Sequence, residues 1–189
     1  MTTPTETTDA ECLALTRGLR RRGAIVLAGF GLVWALAGGS GVAAAPVSIA
    51  LGVVAAAVTA GAVVVAFRGT QGPVTRLVRL PEKWNRGVGL VNGAELLAIF
   101  AVIAASNASG HPEFIPVGIC LVVGLHFFPL ARLFDQPQYR WTAILLTALA
   151  LAGLAVLATG ASAETTRAVV GLGAAAVLWG SSFHVALRG

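Results

Sequence analysis

Two side chains with acid–base chemistry stand inside otherwise apolar stretches of this 189-residue chain, Glu95 and His126. Glu95 lies eight residues into the run 87–106, and His126 lies eight residues before the end of the run 115–134. If the two runs are helices of opposite direction, each group sits about 12 Å from the same membrane edge, at about 1.5 Å of rise per residue. An ionisable group inside the hydrocarbon is costly and turns toward a partner or a cavity. A carboxyl and an imidazole at one depth can bind or relay a proton, or hold a cation, because histidine titrates near neutral pH. The plain alternative is a hydrogen bond that locks two helices together, worth about 0.6 kcal/mol on average and up to roughly 2.

The neighbours of the pair suit a polar pocket. Asn92 precedes Glu95 by about one turn, and Gly89 and Gly93 form a small-xxx-small pair beside it that lets another helix approach closely. Pro129 cannot donate to the carbonyl of Leu125, which frees an acceptor near the imidazole and predicts a kink. Ser181 and His184, three positions apart near the end of the last apolar run, can join the site. So can Arg132, whose long side chain can snorkel to the membrane edge.

Other constellations are weaker. A metal would need three or four convergent ligands, and only Glu95, His126 and His184 could assemble them; no metal site is expected. Cys120 is about 9 Å along the helix axis from His126, and Cys12 and Cys120 have neither metal nor redox spacing, so no disulfide is expected. No G-x-S-x-G, H-E-x-x-H or phosphate loop occurs, and no cofactor is implied. Trp34 and Trp179 fall in mid-run, where a tryptophan serves the core of a bundle rather than a ligand platform. Asn107-Ala-Ser109 matches a glycosylation acceptor, a tripeptide common by chance.

The elements that must position these groups are legible in the composition. The chain is 57% apolar and only 11% charged, with a mean hydropathy of +0.84. That excludes an ordinary water-soluble domain and a disordered one. Six runs are long enough to cross a bilayer as helices: 23–43, 47–67, 87–106, 115–134, 141–160 and 168–187. They must be helices, because unpaired backbone in lipid is too costly and no barrel-like alternation occurs. Loops 44–46, 107–114, 135–140 and 161–167 are short, so consecutive helices pack antiparallel.

One side of this arrangement holds 12 of the 13 Lys and Arg residues, and the other holds only Arg167. Positive charge marks the cytoplasmic side, which places both termini there. The same distribution argues against nucleic acid as a partner, since no recognition motif accompanies the charge. The long loop 68–86, with Arg68, Arg76, Arg79, Lys83 and Arg86, either lies along anionic head groups beside Trp84 or is a solvated basic loop. Tyr139 and Trp141 sit where an aromatic belt is expected. Arg20-Arg21-Arg22 before a run ending in Ala43-Ala44-Ala45 resembles a cleavable signal, but a retained first helix is the better reading. Residues 1–22 are expected as a disordered, basic-ended tail and 23–189 as the transmembrane domain. The glycine-rich first helix, with Gly29, Gly31, Gly38 and Gly39, is a candidate contact for a homo-oligomer. Twelve arginines against one lysine, with abundant alanine, fit a GC-rich bacterial genome and an inner-membrane protein.

The stretch Gly124-Leu-His-Phe-Phe-Pro-Leu-Ala-Arg132, with the aromatic and basic residues from Phe134 to Arg140, resembles a helix of uncharacterised small bacterial multi-span proteins. The resemblance covers one helix and one loop and implies no activity. The expected fold is therefore an all-α polytopic bundle of six helices with both termini cytoplasmic. The expected function is a small proton- or cation-linked transporter or channel-like protein centred on Glu95, His126 and Asn92. A membrane scaffold or accessory subunit with a purely structural pair, and an intramembrane lipid-modifying enzyme, stand as alternatives.

Overall fold

The computed structural model describes residues 4–70, 77, 78, 80 and 83–188. Six α-helices follow one another: α1 (Pro4–Gly39), α2 (Ala45–Gly69), α3 (Trp84–Ala108), α4 (Ile115–Leu133), α5 (Tyr139–Ala158) and α6 (Ala163–Arg188). A 3-10 turn at Pro112–Phe114 leads into α4, and no strand occurs among the described residues. All six helices are long and apolar enough to cross a membrane. This is the all-α polytopic architecture that the hydropathy predicts, and the protein is an integral membrane protein of the multi-pass kind. Gly110 and Gly160 take positive φ angles of 75° and 81° just past α3 and α5, the left-handed conformation that stops a helix at little cost for glycine.

The last helix, α6, is the hub and packs on α1, α2, α4 and α5. Its buried residues include Gly171, Ala174, Ala175, Leu178, Ser182 and Val185, a stripe of mostly small side chains at helical spacing. Small residues let backbones close in where lipid supplies no hydrophobic drive between helices. The closest approach is between α1 and α6. A Cβ at Gly38 would stand 2.6 Å from the backbone nitrogen of Leu172, and one at Gly171 would stand 2.5 Å from the Cα of Gly38. Gly31 makes room for the indole of Trp179, whose Nε1 donates to Thr59 Oγ1 of α2 at 3.1 Å. Gly31 and Gly38, expected to serve a contact between copies, are thus taken up inside one chain, while Gly29 faces open space.

The helical order differs from expectation at the start of the chain. The stretch 1–22 is predicted to be a disordered tail, whereas α1 runs continuously from Pro4. Two side chains anchor this extension. Thr16 donates to the Cys12 carbonyl at 2.7 Å and accepts the N–H of Val78 at 3.0 Å. Arg20, only 2% exposed, donates to the carbonyls of Val185 and Ala186 at 3.3 and 3.2 Å, near the end of α6. The last carbonyls of a helix lack intrahelical partners, and a cation there also opposes the negative end of the helix dipole.

In the long loop, Val78 is buried against α1 through that hydrogen bond. Arg76 and Arg79 lie outside the described residues, while Arg68, Lys83 and Arg86 are exposed. Trp141 is 68% exposed, as a belt residue would be. Tyr139 is not a belt residue. It is buried, with Phe127 and Phe134 at ring-centroid distances of 5.7 and 6.5 Å, and Gly23 of α1 leaves room for its hydroxyl.

Candidate functional site

Helix α3 sits at the edge of the bundle, packed on α4 and on the turn that precedes it. Most of its surface is apolar and turned outward, with Leu90, Leu96, Leu97 and Phe100 all exposed. Outward apolar side chains are what lipid covers. Glu95 stands on the other side of this helix, against α4.

There His126 Nδ1 lies 3.2 Å from Glu95 Oε1, and the two side chains are 12% and 20% exposed. The same nitrogen lies 3.3 Å from the carbonyl of Val123, one turn back in α4. In the tautomer whose Nδ1–H donates to that carbonyl, the neutral ring keeps Nε2 as its second protonation site. The imidazole is also held by Phe127, with ring centroids 5.1 Å apart. From Phe127 the aromatic contacts continue through Tyr139 and Phe134 to Trp84 at the start of α3. This run of rings joins the pair to the arginine-rich end of the bundle and ties α3, α4 and α5 together there.

The arrangement has a definite chemical capacity. With Glu95 ionised and His126 neutral, uptake of one proton at Nε2 turns a singly negative pair into a neutral ion pair. The heavy atoms need not move for that step. An ion pair in a low-dielectric setting holds only while both partners and their hydrogen bonds are in place.

The other predicted site residues are placed as follows. Asn92 is exposed on the outer surface of α3 rather than beside Glu95. Gly89 and Gly93 face open space, so among the described residues no helix uses their small size. Pro129 is half-buried within α4, which continues unbroken from Ile115 to Leu133. Arg132 is exposed in the last turn of that helix. Ser181 accepts a 2.7 Å hydrogen bond from Thr142 of α5. Ser181 and the exposed His184 line a cavity of about 480 Å³ between α5 and α6, not the space around Glu95. A second cavity of about 290 Å³ lies among α3, α4 and α5 and is lined by Val102, Ser106, Val117, Leu121 and Leu151, among others. Neither cavity is lined by Glu95 or His126. Among the described residues, no three His, Cys, Asp or Glu side chains gather as metal ligands.

Arg20, Thr16 and Thr142 are among the buried polar residues that no motif in the sequence marks. Arg20 and Thr16 carry a readable signal. Counting back from the buried Ala24 in steps of four reaches both, so they continue the buried face of α1.

No curated protein and no solved structure matches the chain significantly. A family model does match, over residues 87–183. That stretch covers nearly all of α3 and α6 and the whole of α4 and α5, and so includes Glu95, His126, Pro129, Thr142 and Ser181. The chain belongs to the family of unknown function DUF7010.

Proposed function

We propose that this integral membrane protein is a small proton- or cation-linked transporter or channel-like protein, with Glu95 and His126 as its proton-handling centre. The observation that carries the reading is the 3.2 Å approach of a carboxyl and an imidazole within apolar helices, one of them at the edge of the bundle. Ionisable groups at that depth most often serve an ion or proton path. Helix α3 is the element free to respond, because it rests on α4 and, among the described residues, its outer surface meets no other helix tightly. The excess of arginine at one set of helix ends supports a bacterial inner-membrane location with both termini in the cytoplasm.

The test is reconstitution of the full chain into vesicles that contain a pH-sensitive dye, followed by an external pH step. The wild type is expected to speed the collapse of the gradient, and Glu95→Gln and His126→Gln are expected to slow it toward the rate of empty vesicles. Equal rates for the wild type and both variants would overturn the reading.

A second reading, a scaffold or accessory subunit whose polar pair only fastens α3 to α4, is favoured by one observation. The pair lines neither of the two cavities described above. On that reading the same substitutions lower thermal stability and leave proton movement unchanged.

A further inference from the structure

The cavity between α5 and α6 has its own chemistry. It is a groove open on one side, bounded by Gln138 just before α5, by Thr142 and Leu145 on α5, and by Val177, Ser181, His184 and Val185 on α6, among others. Its polar and apolar residues are ordered along the helix axes. At the arginine-rich end stand Gln138 and His184, and Arg188 follows His184 by four positions, on the same side of α6 one turn further out. Next inward comes the Thr142–Ser181 hydrogen bond, which fixes the spacing of the two helices and leaves the Ser181 proton free to donate outward. Deeper still the walls are Leu145, Ala176 and Val177.

The space exists because α6 is small-sided here. A Cβ at Gly180 would meet nothing within 4 Å. Trp141, at the rim, is the exposed indole of this seam and has the amphipathic ring that settles at a membrane interface. Among the described residues none that lines the groove is acidic, and Arg188 supplies the positive charge nearby while His184 offers an imidazole N–H. At about 480 Å³ its volume lies within the usual range of small-molecule sites, roughly 300–1,000 Å³.

We propose that this groove binds one anionic glycerophospholipid of the arginine-rich leaflet, with its phosphate at His184 and Arg188 and an acyl chain along Leu145, Ala176 and Val177. The order of the groove, cationic and hydroxyl-bearing at the edge and apolar inward, is the order of such a lipid from phosphate to chain. Basic groups at the membrane surface attract anionic head groups, and a fixed groove converts that attraction into a site. The site is separate from the Glu95–His126 pair and stands whether or not that pair moves protons.

The test is native mass spectrometry of the full chain in detergent, with added phosphatidylglycerol or phosphatidylcholine of identical chains. The wild type is expected to retain phosphatidylglycerol in preference. Replacing His184 and Arg188 together by alanine is expected to reduce that preference by about fivefold, the factor that about 1 kcal/mol for one arginine near a head group gives. Gly180→Phe, which fills the groove, is expected to remove retention of both lipids. Arg68→Gln with Lys83→Gln, at basic positions outside the groove, is expected to leave the preference unchanged. Millimolar inorganic phosphate is expected not to displace the lipid. The proposal is overturned by a His184/Arg188 variant that retains lipid as the wild type does, by an equal loss on neutralising Arg68 and Lys83, or by displacement with free phosphate. The His184/Arg188 variant alters only exposed side chains and so remains decisive if Gly180→Phe does not fold.

Discussion

The guanidinium of Arg20 donates to the carbonyl of Ala186 at 3.2 Å, joining the first helix to the last across 166 positions of sequence. A second donation, to Val185, makes the contact two-pronged. Removing the side chain leaves buried carbonyls near the end of α6 without their donor. Arg20→Ala is expected to cost about 2 kcal/mol, the scale of hydrogen bonds to a charged group. Lysine, with its compact ammonium and no planar fork, should recover only part of that. Thermal unfolding of the detergent-solubilised chain measures both, and an unchanged midpoint for Arg20→Ala would remove the claim that this contact anchors α1.

The glycines of α1 separate by position. Gly38→Val would drive a side chain into the backbone of Gly171 and Leu172, and the two helices would have to part. The expected loss is about 1–3 kcal/mol, the usual cost of overpacking. Gly29→Val points into open space and should be close to neutral. The comparison uses one residue type and one helix, so a similar loss at both positions would mean that the α1–α6 seam is not where the tight packing lies.

Orientation makes a separate prediction. A reporter that fluoresces only in the cytoplasm, fused after Arg188, is expected to be bright. The same reporter inserted at Ser162, beside the lone Arg167, is expected to be dark. The reverse pattern would invert the topology and move the proposed lipid groove to the opposite leaflet.

Much of the architecture is legible in the sequence because the bilayer imposes a length and a polarity on each crossing. The equal depth of Glu95 and His126 follows from the same counting. What counting does not supply is rotation. Asn92 is three positions from Glu95, about 60° away around the helix, and that offset is enough to turn it out while Glu95 faces α4. Ser181 and His184 share a side of α6, but that side meets α5 rather than the pair. Arg20 is hidden by its company. Within Arg17, Arg20, Arg21 and Arg22 it reads as one more topology charge, and only its register with Ala24 and Leu27 marks it as buried. Tyr139 departs from expectation for a similar reason. Its position near a span end suits a membrane belt, yet the space above Gly23 draws it into the core.

The central claim is that Glu95 and His126 act together on a proton. The most direct measurement is the rate of gradient collapse in reconstituted vesicles for Glu95→His, His126→Glu and the double exchange. Each single exchange puts two like groups at the contact and is expected to slow collapse by about tenfold or more, a modest loss for a proton-transferring group. The double exchange restores a carboxyl beside an imidazole and is expected to recover a large part of the wild-type rate, with Asn92→Ala at the wild-type rate throughout. Wild-type rates in both single exchanges, or a wild type no faster than empty vesicles, would contradict the account.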